Sequence, residues 1–120
     1  MKTRGFTLIE LLVVLSIVAL MMALVGPRYF KQQDRAKETV LRHNLATLRG
    51  ALDQYREDVG RDPADLDELV SKRYLKALPL DPILGKTDGW RIESGDDGRA
   101  RDVRSGAPGK AIDGSSYGSW

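Results

Sequence analysis

Glu10 is the one charged side chain in an otherwise apolar run, FTLIELLVVLSIVALMMALVG, at residues 6–26. A carboxylate deep in a bilayer costs about 3 kcal/mol on insertion scales, so a plain anchor avoids one. Its presence makes Glu10 a functional candidate, and its natural partner is a cation near the same membrane face. The remaining chemical inventory is sparse. The chain has no cysteine, which excludes a disulfide, a thiolate zinc site and a cysteine nucleophile. His43 is the single histidine and lies among charged and polar residues, with no second histidine to complete a metal or catalytic pair. A phosphate loop and an acidic pair in an apolar setting are missing, and Asp65, Asp67, Asp96 and Asp97 read as solvated surface. The sequence therefore does not read as an enzyme. Nucleic-acid binding is also unsupported, because 19 Lys and Arg are interspersed with 17 Asp and Glu and leave a near-neutral exterior.

The elements that must carry these residues follow from an uneven apolar distribution. Residues 6–26 hold 17 apolar side chains, whereas residues 60–120 hold only 20, a thin core for a domain near the lower size limit of independent folding. The N-terminal run is long enough, at roughly 30 Å of helix, to cross one hydrocarbon core. Lys2 and Arg4 precede it and no basic residue follows until Arg28, a bias that keeps the extreme N-terminus cytoplasmic and places the remainder outside. A cleavable secretory signal shares the basic start. Against it stand the length of the run, beyond the roughly 7–15 residues of a signal core, and the want of a small-x-small site before Pro27.

Beyond the span, Gly26-Pro27 joins a permissive residue to one that lacks a backbone donor, so a kink or local melting is expected there. Leu41, Leu45, Leu48, Leu52, Tyr55 and Val59 then recur at helical spacing between polar residues. That is an amphipathic stripe, and it suits a helix packing on its own head better than a coiled coil, since it covers fewer than three heptads. Gly50 within it signals either a close backbone approach or a tolerated defect. Gly60 stops the helix; Asp62 and Pro63 start a second one running to Ser71 or Lys72, with Leu66, Leu69 and Val70 inward. Two prolines make residues 74–82 an extended connection. Trp90 to Glu93 and Ala100 to Arg104 alternate around a glycine-bearing turn and predict a β-hairpin. The glycine-rich tail depends on Ile112, Tyr117 and Trp120 for docking. The expected class is α+β: a long N-terminal helix, half transmembrane and half amphipathic, on a small head with a short helix, a β-hairpin and a C-terminal loop.

Gly5-Phe6-Thr7-Leu8-Ile9-Glu10-Leu11-Leu12-Val13-Val14, behind a short basic leader, closely resembles the prepilin cleavage and methylation motif of type IV pilins and type II secretion pseudopilins. The resemblance implies cleavage between Gly5 and Phe6 by a membrane prepilin peptidase, methylation of the new Phe6 amine, and an assembly role for Glu10 opposite the terminal amine of a neighbouring subunit. It also implies that helix near Gly26 and Pro27 unwinds when subunits pack. The order in the head looks like the major pseudopilin of type II secretion: Gly-Arg-x-Pro at Gly60, Leu-Pro-x-Asp-Pro at Leu78, a strand headed by Trp90, and Asp102-Val103-Arg104-Ser105-Gly106 followed by Asp113-Gly114.

The implied organisation is a leader at 1–5, a transmembrane and assembly helix at 6–26, an amphipathic stalk at 27–59 and a periplasmic head at 60–120. The implied partners are further copies in a filament, minor pseudopilins, prepilin peptidase, an inner-membrane assembly platform and the lipid bilayer, with no nucleic acid. The filament would support protein export across the outer membrane. Many major pseudopilins hold calcium in their last loop, and Asp102, Ser105 and Asp113 are the candidate ligands here. Lys110 stands where more acid would help, and a glycine-rich loop docked by aromatics is the alternative. A type IV pilin, major or minor, is the rival of the same architecture. A single-pass membrane protein with a periplasmic binding head is the rival from another class.

Overall fold

The computed structural model describes residues 5–120. Lys2 and Arg4, the basic residues of the expected leader, lie outside the described residues. Helix α1 (Leu8–Val59) is followed by a short helix α2 (Leu66–Ser71), strands β1 (Arg91–Ser94) and β2 (Ala100–Arg104), and a final 3-10 turn (Tyr117–Ser119). This is the expected α+β arrangement. Two units divide the chain inside helix α1, the first ending at Asp34 and the second being Arg35–Trp120.

In the first unit, helix α1 begins where Thr7 caps it. The Thr7 hydroxyl accepts the Glu10 N–H at 3.1 Å and its carbonyl accepts the Leu11 N–H at 3.1 Å, which satisfies donors that a helix start otherwise leaves orphaned. The helix then runs unbroken through Gly26 and Pro27. Local melting does not occur there, although Pro27 offers no N–H to the preceding turn. Long runs of good helix formers on both sides hold the residue in register, because propagation is easy once a helix is nucleated.

The second unit contains the buried core. Leu41, Leu45, Leu48, Leu52 and Tyr55 are all essentially inaccessible, joined by Leu66 and Leu69 from α2 and by Trp90, Ala100 and Val103 around the hairpin. Val59, the last member of the expected stripe, is 46 % exposed instead. The reason is local: Gly60 takes a left-handed φ of 83° and turns the chain away before a sixth layer forms. Gly50 faces open space, so it is a tolerated defect and not a close approach.

Helix α2 starts later than the sequence suggested. Asp65, not Asp62, is its N-cap, accepting the Glu68 N–H at 3.0 Å, while the Glu68 carboxylate reaches back to the Ala64 N–H at 2.6 Å. This near-reciprocal Asp-x-x-Glu capping outcompetes the Asp62-Pro63 start. Pro63 is buried instead, with its carbonyl accepting the Ala100 N–H from β2 at 2.8 Å, and Asp62 receives Arg56.

Strands β1 and β2 pair antiparallel, with Arg91 opposite Arg104 and Ile92 opposite Val103, and a bulge between Glu93 and Ser94. Gly98, at φ 75°, supplies the left-handed residue of the connecting turn. Val103 and Ala100 point into the core while the whole of β1 is exposed, so Trp90, just before β1, carries that segment's burial.

Candidate functional site

The N-terminal element presents its chemistry on an uncovered apolar surface. Every residue from 5 to 25 is exposed, including fifteen large apolar side chains. A contiguous patch of that extent far exceeds what a soluble monomer leaves in water, and marks contact with lipid or with other apolar helices. Helix α1 is long and apolar enough to cross a membrane near its N-terminal end. Two polar side chains interrupt residues 8–25. Ser16 returns its hydroxyl to the Leu12 carbonyl at 2.8 Å, which satisfies it within its own helix. Glu10 has no such internal solution. It stands in the first turn of α1, where the positive end of the helix dipole favours a carboxylate, and it has no cation partner among the described residues.

Sequence reasoning passed over Thr7. The signal was present: Thr7-x-x-Glu10 before an apolar run has the spacing of a capping box. Gly5 and Phe6 precede the helix in irregular backbone, with Phe6 88 % exposed and open space around the Gly5 Cα. An unstructured, accessible peptide bond next to a helix start suits a protease, which needs an extended substrate. At the far end, Tyr29 and Phe30 pack edge to face at 6.1 Å, next to Arg28 and Lys31. Aromatic and basic residues of this kind sit at a membrane–water boundary.

The calcium candidates do not converge. The Asp102 Oδ1 accepts the Arg49 guanidinium at 3.2 Å and the Val103 N–H at 2.8 Å. Ser105 is fully buried, donating its hydroxyl to Asp81 Oδ2 at 2.6 Å and accepting the Ala107 N–H at 3.1 Å. Asp113 folds back on its own turn, with Oδ1 accepting both the Ser115 N–H at 2.9 Å and the Ser115 hydroxyl at 2.6 Å. Those bonds, with Arg42 at 3.8 Å, hold its carboxyl below the usual carboxylate range. Calcium needs six to eight oxygens around one point. Among the described residues no cluster of three or more acidic or histidine side chains is placed to supply them, and no buried side-chain oxygen or nitrogen lacks a hydrogen-bond partner. As arranged, these residues do not fit the ion.

Two residues that sequence reasoning did not single out hold the C-terminal segment. Asp81 is completely buried and ties two loops together: its Oδ1 accepts the Ile83 and Leu84 N–H groups at 2.9 and 3.2 Å while Oδ2 takes Ser105. Glu38, 9 % exposed, accepts the Ile112 N–H at 2.8 Å and the Tyr117 hydroxyl at 3.0 Å through Oε1. Ile112, expected to dock through its side chain, is 46 % exposed and docks through its backbone; Ala111 is buried in its place. Only distance in the fold reveals Glu38, because it lies more than seventy residues from its partners.

Residues 1–26 match the family description "Prokaryotic N-terminal methylation motif". A type II secretion system core protein G from Xanthomonas campestris is 30 % identical, with 94 % of this chain and 84 % of that protein aligned. The protein of the same name from Pseudomonas aeruginosa is 37 % identical over 68 % of each chain, and one from Klebsiella michiganensis is 29 % identical over 98 % of this chain and 92 % of its own. No solved structure matches the chain. An exposed apolar segment of α1 capped at Thr7, a methylation motif that overlaps that segment and relatives aligned across the head agree: the chain belongs to the type II secretion system core protein G family and is a pseudopilin.

Proposed function

We propose that the chain is a structural subunit of a secretion pseudopilus, without catalytic activity, that is stored in the inner membrane and polymerised through its N-terminal helix. The observation that carries this reading is the coincidence of the methylation motif with the segment of α1 at residues 8–25, whose apolar side chains are all exposed. Prepilin peptidase cuts between Gly5 and Phe6 and methylates the Phe6 amine. The leader stays cytoplasmic and the head periplasmic, in keeping with Lys2 and Arg4 before the span.

On release from the bilayer the helices pack against one another, in a head-to-tail arrangement that grows as an open helical filament. Glu10 then meets the Phe6 amine of a neighbouring copy, since a charge entering an apolar bundle is tolerable only when paired. The Gly26-Pro27 step, where one backbone donor is missing, is the place at which α1 yields when helices crowd. Minor pseudopilins and an inner-membrane assembly platform start and drive the filament, whose extension moves cargo towards the outer membrane.

Co-expression with an active prepilin peptidase is expected to remove the five leader residues and add one methyl group, read by intact-protein mass spectrometry. An unchanged mass would overturn the filament reading. Glu10→Ala is expected to be processed normally yet to be lost from sheared filaments, and normal incorporation would remove the pairing step while leaving the processing step standing.

A further inference from the structure

The C-terminal loop is held by charges that belong to helix α1. Glu38, Arg42 and Arg49 lie at i, i+4 and i+11, spacings that bring them to one side of the helix beside the buried Leu41, Leu45 and Leu48. Arg49 is the centre. It donates through Nε to Asp102 Oδ1 at 3.2 Å, and through Nη2 to the Val103 carbonyl at 3.0 Å and to a Trp120 backbone oxygen at 2.6 Å. One cation thus gathers a carboxylate and two backbone oxygens from β2 and the last residue, with the fork geometry that a guanidinium supplies. Arg104 adds a second grip, donating to the Ser119 carbonyl at 2.7 Å and pairing with Glu93.

Arg42 covers the other face. Its guanidinium carbon lies 4.2 Å from the centroid of the Trp120 ring, and it stands 3.8 Å from Asp113. The Trp120 ring packs edge to face on Tyr117 at 5.3 Å, and its indole donates to the Ser115 hydroxyl at 2.7 Å. Glu38 completes the set by accepting from Ile112 and Tyr117. Within the loop, Lys110 and Ser116 bridge antiparallel around the Asp113-Gly114 turn, with Gly114 left-handed at a φ of 86°. A lysine beside that closure adds positive charge where an oxygen cage would need negative.

We propose that in this chain Arg49 and Arg42, with Glu38, fix the C-terminal loop in the role that the family resemblance gives to calcium, so that the head folds independently of that ion. The carboxylate best placed to ligate a cation, Asp102, is neutralised by Arg49, and the buried hydroxyl of Ser105 is committed to Asp81. A divalent ion entering beside two guanidinium groups would meet like charge at short range, which opposes its binding. The latch concerns the head of a single copy and stands apart from the filament reading.

The full chain in detergent micelles, melted with a chelator and again with millimolar calcium, tests it. Coincident melting temperatures are expected. A site filled a hundredfold above its dissociation constant would instead raise the melting temperature by on the order of 10 °C, and such a rise would overturn the proposal. Hydrogen exchange on the same sample reads the latch directly. Arg49→Met is expected to raise exchange at residues 111–120 by at least about tenfold and to lower the melting temperature by roughly 5 °C. Arg42→Ala removes an exposed side chain that the core does not need, so it keeps the test readable if Arg49→Met fails to fold; the same rise in exchange, smaller and confined to residues 111–120, is expected. Unchanged protection in Arg42→Ala would overturn the latch.

Discussion

Tyr55 and Glu68 join the last buried turn of α1 to the cap of α2. The tyrosine hydroxyl donates to Glu68 Oε1 at 2.6 Å, and the second carboxylate oxygen accepts the Ala64 N–H at 2.6 Å. The Tyr55 bond, then the Ala64 bond, hold the Glu68 carboxyl below the usual range, and the same bond raises the Tyr55 hydroxyl above its own. A carboxyl whose value is depressed by folding binds fewer protons folded than unfolded around that range. Its contribution to stability is therefore complete above the ordinary glutamate value, roughly pH 4.3, and is lost as pH falls through the lower folded value. Asp113, depressed by its Ser115 bonds, adds to the same acid slope. The melting temperature of the full chain in micelles is expected to fall as the pH drops below about 4. In Glu68→Gln the melting temperature at pH 7 is expected to be lower and the fall towards pH 3 shallower. An unaltered acid slope in that variant would show that Glu68 does not sense folding.

At the scale of elements, two glycines with opposite surroundings give opposite expectations. Gly50 sits on an exposed face of α1 with open space where a Cβ would go, so Gly50→Ala is expected to stabilise the head by roughly 0.5–1 kcal/mol. Gly106 lies against the Gly89 carbonyl oxygen, and a Cβ there would occupy the space of that atom. The backbone of residue 89 would have to move, and Gly106→Ala is expected to cost about 1–3 kcal/mol. Chemical or thermal unfolding of both variants checks the pair; equal effects would mean that the loop at Gly89 gives way freely.

The same contrast explains what could be read before the fold was known. The stripe from Leu41 to Tyr55 and the hairpin alternation are local periodicities, and the sequence carries them directly. Gly106 appeared only as one more loop glycine, because its constraint comes from a backbone seventeen residues away. Asp62-Pro63 and Asp65-x-x-Glu68 are both sound start signals for α2, and burial of Pro63 against β2 decides between them. Among site residues, the N-terminal motif is contiguous and legible. The partners of Asp102, Ser105 and Asp113 come from helix α1, the loop at Asp81 and a tight turn, and no spacing along the chain announces them.

Across the whole molecule, burial and exposure separate cleanly. Every buried apolar residue, from Leu41 to Tyr117, belongs to the unit Arg35–Trp120, and no residue between 5 and 34 is buried. The first unit makes its helical hydrogen bonds internally, as a spanning segment must, and needs only lipid or other apolar helices around it. The second has a complete core, closed by the Arg49 and Glu38 contacts. Removing residues 1–34 therefore deletes apolar surface that must be covered by something else, and deletes none of the core. A chain consisting of Arg35–Trp120 is expected to be soluble and monomeric without detergent, and to melt cooperatively within about 5 °C of the full chain in micelles, a shift that corresponds to roughly 1 kcal/mol in a domain of this size. The full chain without detergent is expected to aggregate through the exposed surface of residues 6–25. Light scattering and calorimetry read both halves of the expectation. A shortened chain that melts without cooperativity would mean that helix α1 must be nucleated from its membrane half before the stripe can pack. In that event the long helix would be a folding requirement of the head as well as the means by which copies join.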